Sequence, residues 1–235
     1  MEIQIGIAKV KKYASSQSGD TVEVVERPGG GLSVVMADGQ SSGRGAKFIS
    51  TMVTRKVITL LAEGVRDGAT ARAASDYLYA ERSGKVSATL NILSADFQTN
   101  TLVITRNNPS GMLLIRGEDV VALDEPSSPI GIYRGTRPTI NEFSIEVGLG
   151  VLMYTDGLLH AGTRTGECME IASSLRALLD EEEPSPQWIA DELISHALKL
   201  DQGRPVDDTS IVVLRVMRLV GDDVRRMSLR LPLTS

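Results

Sequence analysis

The sequence is poor in the residues that build disulfide frameworks, zinc sites and aromatic cores. Its 235 residues include one cysteine, Cys168, and two histidines, while Phe, Trp and Tyr together make up 4%. A single cysteine excludes an internal disulfide framework and is typical of a reducing compartment. Zinc sites and Ser-His-Asp triads need clustered histidines or cysteines, so both are disfavoured. The core must therefore consist mainly of Val, Ile, Leu, Ala and Met.

Excess positive charge and long apolar runs are also missing. The net charge is −5, and no Lys/Arg cluster indicates a nucleic-acid surface. No apolar run approaches membrane length, and no charged-then-apolar leader opens the sequence. The hydrophobic fraction of 42% and charged fraction of 23% are typical of a globular domain. We therefore expect a cytoplasmic protein without nucleic-acid or membrane partners.

Hydrophobic periodicity predicts blocks of strands separated by pairs of helices. Strands are predicted at 2–11, 21–26, 32–37, 86–95, 101–106, 112–116, 120–123, 139–146, 151–155 and 211–217. Helices are predicted at 45–62, 67–81, 169–179 and 186–200, with Asp67 or Thr70 capping the second. The block from 86 to 123 has the pattern of an antiparallel meander. Strands in blocks, instead of strict alternation with helices, favour antiparallel sheets with helices on their outer faces.

The domain organisation follows from the same pattern. No linker or low-complexity segment interrupts residues 1–220, so we interpret them as one domain. Residues 221–235 form a C-terminal extension in which Met227, Leu229 and Leu231 alternate with other residues, a pattern that predicts one added strand.

Four acidic positions stand at predicted strand ends. Asp38 and Asp156 each end an apolar strand and precede a glycine, Asp20 precedes a strand, and the Asp207-Asp208 pair precedes the last one. The turn at 28–31 predicts a hairpin that folds Asp20 back towards Asp38. Carboxylates on separate strands can converge on Mg²⁺ or Mn²⁺, yet Asp-Gly is also a common surface turn. Spacing alone leaves both interpretations open.

Four motifs in order carry a resemblance to a known family. They are Ser18-Gly19-Asp20, Asp38-Gly39-Gln40-Ser41-Ser42-Gly43, Thr155-Asp156-Gly157 and Asp207-Asp208-Thr209-Ser210. Together they resemble the metal-binding signature of the protein phosphatase 2C (PPM) family. They are most similar to its bacterial SpoIIE/RsbU/RsbX branch, including the stand-alone phosphatase domains, and the resemblance covers residues 3–217.

The resemblance implies an α+β fold, an αββα sandwich of two antiparallel sheets flanked by helices, with two Mn²⁺ or Mg²⁺ ions at one end. Asp38 would be the catalytic residue that bridges both ions and the attacking water. Asp20 and the Gly39 carbonyl would bind one ion, and Asp156 and Asp207 would bind the other. Asp208 would orient its loop.

The function implied by the resemblance is that of a metal-dependent serine/threonine protein phosphatase, a phosphoric monoester hydrolase. Substrates in this branch are phosphorylated anti-anti-sigma (STAS-domain) factors in bacterial signal transduction and stress response. A non-catalytic pseudophosphatase that binds a signalling partner is the alternative. Four carboxylates that repel one another without metal speak against that alternative. A metal-dependent nuclease is disfavoured by the acidic net charge.

The chain also departs from the family pattern. Gln40 stands where many members carry a histidine, and Ser41 replaces the second glycine of the motif. No arginine suited to binding phosphate lies near the N-terminus, which leaves Lys11 or Lys12 for that role. His160, close after Asp156, is interpreted as structural or exposed.

Overall fold

The computed structural model describes residues 1–232, whose strands form two five-stranded antiparallel sheets. Sheet A has the order β1 (Glu2–Val10), β10 (Thr209–Met217), β9 (Leu149–Tyr154), β6 (Met112–Arg116) and β7 (Asp119–Leu123). Sheet B has the order β2 (Asp20–Glu26), β3 (Gly31–Gly39), β4 (Ala88–Asp96), β5 (Thr101–Asn107) and β8 (Thr139–Ser144). The two sheets stack face to face.

Helices cover both outer faces. On sheet B lie α1 (Gly43–Ala62) and α2 (Asp67–Arg82), and on sheet A lie α4 (Ile171–Leu179) and α5 (Pro186–Leu200). A short helix, α3 (Asp156–His160), follows β9 directly. This is the expected αββα sandwich. Among residues 1–232, no helix is both long enough and apolar enough to cross a bilayer.

The core has three aliphatic layers, as the scarcity of aromatic residues requires. The central layer, between the sheets, contains Val34, Met36, Leu93, Ile104, Val151, Met153, Val212 and Leu214. One outer layer packs α1 and α2 on sheet B, and the other packs α4 and α5 on sheet A. Burial on both faces explains why the central strands are nearly continuous apolar runs.

The meander predicted over residues 86–123 is wrong at its midpoint. β4 and β5 pair in sheet B, whereas β6 and β7 pair in sheet A, so the chain changes sheets between Asn107 and Met112. In β6, Met112 and Leu114 face the other sheet, while Leu113 and Ile115 face the helices. Both faces of β6 are therefore apolar. Beside β9 the other sheet covers one face and the helices cover the other, which stabilises the strand there.

The structure also settles the local conformation of one Asp-Gly pair and of the C-terminal extension. Asp156-Gly157 forms the first turn of α3, so the surface β-turn that the spacing left open is not formed there. Residues 218–232 contain neither helix nor strand and leave Met227, Leu229 and Leu231 exposed, so the added strand is not seen there; residues 233–235 lie outside the described chain. An alternating pattern without a partner strand does not form a sheet by itself.

The start of α2 is held by a buried ion pair. Its N-cap residue is Arg66, and Asp67 is the first helical residue. The carboxylate of Asp67 accepts a hydrogen bond from Nη1 of Arg27 at 2.9 Å, and both side chains are only 9% exposed. The prediction that Asp67 or Thr70 caps α2 is therefore wrong, and Asp67 instead fastens the helix to sheet B.

Candidate functional site

The hairpin of β2 and β3 brings the first two acidic residues together. Asp20 opens β2, Asp38 stands near the end of β3, and the two are direct partners in the antiparallel register. Gly30 and Gly31 make the turn with φ of +88° and +90°, a conformation that favours glycine. The predicted hairpin is therefore confirmed, and both carboxylates lie at one end of sheet B.

Sheet A brings the other two acidic residues to the same end. β9 ends at Tyr154, which pairs with Ile211 of β10, so the end of β9 adjoins the start of β10. Asp156 follows the first strand, and Asp207 precedes the second. Ligand atoms of Asp156, Asp207 and His160 all lie within 4.8 Å of one another.

A cleft of about 340 Å³ opens over these residues. It is lined by Lys12, Asp38, Gly39, Gln40, Ser41, Ser42, Asp156, Asp207 and Asp208. The fold thus gathers Asp38, Gly39, Asp156 and Asp207 around one cleft, and Asp20 lies buried beside Asp38.

Asp20 connects the two sheets beneath the cleft. Its Oδ2 accepts hydrogen bonds from Oγ1 of Thr155 at 3.0 Å and from Oγ of Ser210 at 2.6 Å. Thr155 directly follows β9, and Ser210 lies in β10, so both donors belong to the sheet A side. Its main-chain carbonyl accepts hydrogen bonds from Nζ of Lys9 at 2.9 Å and Nζ of Lys47 at 2.8 Å. Its Oδ1 is buried and, within the described chain, has no hydrogen-bond partner. Such an orphaned oxygen is costly unless another group binds it.

The cleft concentrates negative charge. Burial raises the pKa of Asp38 to about 9, with further contributions from the charges of Asp20, Asp156 and Asp207. Burial also raises the pKa of Asp156, and Asp207 adds to this, whereas His160 opposes it. A cation among these carboxylates would remove the repulsion. Oxygen ligands that converge in this way fit Mg²⁺ or Mn²⁺.

Asp208 has a different role from Asp207. Its Oδ1 accepts a hydrogen bond from the main-chain N–H of Lys12 at 2.9 Å, and its Oδ2 accepts one from that of Gly19 at 2.8 Å. The side chain therefore holds the loop that carries Asp20 against the start of β10. These contacts agree with the loop-orienting role that the family resemblance implies.

The glycines of the two Asp-Gly pairs are required by close packing, not by turns. A Cβ on Gly39 would lie 2.2 Å from the carbonyl oxygen of Ala46 in α1. A Cβ on Gly157 would lie 2.1 Å from the carbonyl oxygen of Asp208. Only glycine allows these helices to approach the strands that present the aspartates.

The departures from the family pattern occupy the cleft. Gln40 is held at its Oε1 by the main-chain N–H of Ser87 at 2.9 Å. Ser41 retains a glycine-type conformation, with φ of +82°. Of the two candidate lysines, Lys12 lines the cleft, with its Nζ 3.8 Å from Oδ1 of Asp207.

Sequence reasoning missed the groups that surround Asp20. Lys9 follows Ile3, Ile5 and Ile7 at the same two-residue spacing. The alternation therefore indicates a lysine on the apolar face of β1, which could have been recognised from the sequence. Lys47 lies in the first turns of α1 and reaches back across the hairpin, which periodicity does not reveal. His160 was interpreted as structural or exposed; it is exposed, yet its ring lies beside Asp156 and Asp207.

Three solved structures illustrate the proteins that share this fold. A SpoIIE fragment from Bacillus subtilis, comprising the PP2C phosphatase domain and part of the regulatory domain, aligns with a TM-score of 0.80 and 19% identity, over 94% of this chain and 64% of that one. RsbX in complex with magnesium aligns with a TM-score of 0.68 and 18% identity, over 91% and 95%. The catalytic domain of the serine/threonine phosphatase PstP with two manganese ions aligns with a TM-score of 0.68 and 17% identity, over 92% and 99%. This chain thus spans just under two thirds of the first structure.

Sequence comparison provides the family. Comparison with curated proteins gives no match. The family model of SpoIIE, Stage II sporulation protein E, matches residues 28–217, a span that includes Asp38, Asp156 and Asp207 but begins after Asp20. Because this match covers most of the chain, the protein belongs to the SpoIIE family and has the protein phosphatase 2C fold.

Proposed function

We propose that this protein is a metal-dependent phosphatase that hydrolyses phosphoserine or phosphothreonine in a protein substrate. The observation that carries the proposal is the convergence of Asp20, Asp38, Asp156 and Asp207 at one end of the sandwich. Membership of the SpoIIE family supports it. So does the presence of magnesium or manganese in structures with the same fold.

The residues fit a pair of Mn²⁺ or Mg²⁺ ions. Asp20, through its unpartnered Oδ1, would hold one ion with the Gly39 carbonyl. Asp156 and Asp207 would hold the other, and Asp38 would contact both. Ions bound there would lower the pKa of a water molecule and neutralise phosphoryl oxygens.

The side chains around the cleft would position the phosphorylated residue. Lys12 supplies a positive charge at the rim that attracts and orients the phosphate. The Oε1 of Gln40 is occupied by Ser87, and within residues 1–232 its side-chain amide nitrogen makes no hydrogen bond, so it would donate one to the substrate. A glutamine cannot transfer a proton, so the serine or threonine leaving group takes its proton from solvent.

The proposed substrate is a phosphorylated STAS-domain protein of the anti-anti-sigma type. The resemblance to the SpoIIE/RsbU/RsbX branch supports this choice. The small cleft, with Ser41 and Ser42 exposed at its rim, is suited to a phosphorylated side chain presented on a protein surface.

Hydrolysis of a phosphoserine peptide, a phosphorylated STAS-domain protein and p-nitrophenyl phosphate tests the proposal. We expect turnover with Mn²⁺, none with EDTA, and a loss of at least about 100-fold in Asp38→Asn, because a ligand shared by both ions is removed. Asp119→Asn is the matched control, since Asp119 is exposed on β7 and pairs with Arg116, which lies opposite Leu149 at the end of β9 away from the cleft.

The alternative, a pseudophosphatase, predicts a different result. It would bind the phosphorylated STAS-domain protein in a pull-down without releasing phosphate at millimolar Mn²⁺. Equal turnover by wild type and Asp38→Asn would also contradict the proposed function, because it would trace the activity to another site or a contaminant.

A further inference from the structure

His160 shares a helix with one of the proposed metal ligands. It lies four residues after Asp156 in α3, a spacing that places two side chains on the same helical face. The turn that follows fixes its backbone, because its carbonyl accepts hydrogen bonds from the main-chain N–H of Thr163 at 3.1 Å and from its Oγ1 at 2.7 Å. The backbone of His160 is thereby fixed, and its ring lies near the carboxylates of Asp156 and Asp207.

The distances around His160 are close to those of a coordination sphere. Ligand atoms of Asp156, His160 and Asp207 lie within 4.8 Å of one another. Two ligands that each lie about 2.1 Å from one ion are at most about 4.2 Å apart. A small rotation of exposed side chains would therefore bring all three onto one ion.

The ring of His160 is free to bind. Among residues 1–232, no hydrogen bond occupies either of its nitrogens. The other histidine of the chain differs, because Nδ1 of His196 lies 3.3 Å from Oγ of Ser174. His196 lies on α5, and it serves as the natural control.

The donor set has a chemical consequence. Mg²⁺ binds oxygen ligands almost exclusively, whereas first-row transition metals accept imidazole nitrogen. A position with two carboxylates and one imidazole should therefore bind a transition metal in preference to Mg²⁺.

We propose that His160 is a third protein ligand at the ion position of Asp156 and Asp207, and that it makes this position selective for a transition metal such as Mn²⁺ over Mg²⁺. The proposal rests on the proposed function, since it adds a ligand to that centre. Its rival is an imidazolium that only forms an ion pair with the two carboxylates.

Electron spin-echo envelope modulation (ESEEM) spectroscopy of the Mn²⁺-loaded protein tests directly for the Mn–N bond. Protein labelled with ¹⁵N-histidine is compared with unlabelled protein at one and at two equivalents of Mn²⁺. We expect a nitrogen coupling typical of bound imidazole that changes on labelling. It should be absent in His160→Gln and retained in His196→Gln.

Calorimetric titration with Mn²⁺ and Mg²⁺ measures the selectivity. Loss of a ligand should weaken Mn²⁺ binding at one site by at least about tenfold, the lower end of the cost of removing even an outer partner. Mg²⁺ binding should change by less than about threefold, so the Mn²⁺/Mg²⁺ affinity ratio falls in His160→Gln and is unchanged in His196→Gln.

The outcomes separate this proposal from the proposed function. Mn²⁺ that binds and supports turnover without a histidine coupling at either loading overturns the ligand role of His160 and leaves the phosphatase assignment intact. An unchanged affinity ratio in His160→Gln has the same meaning and supports the ion-pair rival. Absence of Mn²⁺ binding to the wild type overturns both.

Discussion

At the scale of single residues, Asp207 and Asp208 are chain neighbours whose carboxylates contact different surroundings. Asp207 lines the cleft beside Asp156, and its Oδ1 accepts a hydrogen bond from the N–H of the next residue at 2.9 Å. The two oxygens of Asp208 instead accept hydrogen bonds from the main-chain N–H groups of a distant segment, at Lys12 and Gly19. The same residue type thus lines the cleft, as a proposed metal ligand, at one position and stabilises the fold at the next.

Alanine substitution should separate these two roles. Asp208→Ala leaves the N–H groups of Lys12 and Gly19 without acceptors, so we expect a loss of about 1–3 kcal/mol in the free energy of unfolding. Asp207→Ala should change that free energy by less than about 1 kcal/mol, because its carboxylate is partly exposed, but it should abolish Mn²⁺ binding at one site. Urea unfolding in EDTA and calorimetric Mn²⁺ titration measure the two effects. Equal destabilisation by both variants would contradict this division of roles.

At the scale of secondary-structure elements, the position of α3 depends on one glycine. Gly157 lets the helix approach the main chain of Asp208. Asp156 and Asp207 are the chain neighbours of these two residues, so the contact brings their carboxylates close together. The same principle applies to Gly39, where α1 approaches the end of β3. The glycines of the motifs therefore determine how closely helices and strands meet at the cleft.

A pair of glycine substitutions tests this packing. In Gly157→Ala the added methyl would lie 2.1 Å from a main-chain oxygen, so α3 must shift. We expect a loss of about 1–3 kcal/mol of stability and weaker Mn²⁺ binding. Gly45→Ala is the control, because its added methyl meets nothing within 4 Å and it lies inside α1. That variant should be unchanged or more stable by about 0.5–1 kcal/mol in urea unfolding. A neutral Gly157→Ala would rule out the close-packing explanation.

At the scale of the whole molecule, the cleft lies where the two sheets meet. Asp20 and Asp38 belong to sheet B, and Asp156 and Asp207 follow and precede strands of sheet A. Their charges repel across the sandwich, whereas the hydrogen bonds from Thr155 and Ser210 to Asp20 join the sheets. A bound cation would replace the repulsion by attraction and stabilise the entire fold.

The stability of the metal-free protein should therefore depend on pH. The pKa of Asp38 is about 9 in the folded protein, far above its ordinary value of 3.8. The folded state then holds a proton that the unfolded state releases, so this contribution is complete below pH 4 and is lost as the pH rises towards 9. Asp38→Asn has no carboxyl group to ionise at this position, so it does not lose this contribution as the pH rises. We expect the variant to be more stable than wild type by about 1 kcal/mol or more at pH 8 in EDTA, but not at pH 4.

Thermal and urea unfolding from pH 4 to pH 8 measure this difference, with Asp119→Asn as the control for loss of any carboxylate. A constant difference between Asp38→Asn and wild type across that range would show that Asp38 titrates normally. With Mn²⁺ present, wild type should be more stable than Asp38→Asn, because only wild type keeps the carboxylate proposed to contact both ions.

Much of the architecture could be predicted because it is local. The helix that begins at Pro186 has a Ser185 cap, and the hairpin of β2 and β3 has a glycine turn and matching alternation, so both were predicted close to their observed bounds. The destination of β6 could not be predicted, because its apolar pattern suits any strand covered on both faces. The residues 227–231 show the converse, an alternating pattern that finds no partner strand within the described chain.

The sequence by itself determined antiparallel sheets with helices on their outer faces, because hydrophobic period and turn residues act over a few residues. It also determined the order of the four acidic motifs, whose family resemblance implied the αββα sandwich. Only the tertiary structure decided that Asp156 starts a helix, that Lys9 and Lys47 converge on the Asp20 carbonyl, and that His160 faces the carboxylates. The contacts of Lys9 and Lys47 with Asp20, and of His160 with Asp207, join residues that are distant in the chain. They follow from how two sheets and their helices cover each other's apolar faces, which no local pattern specifies.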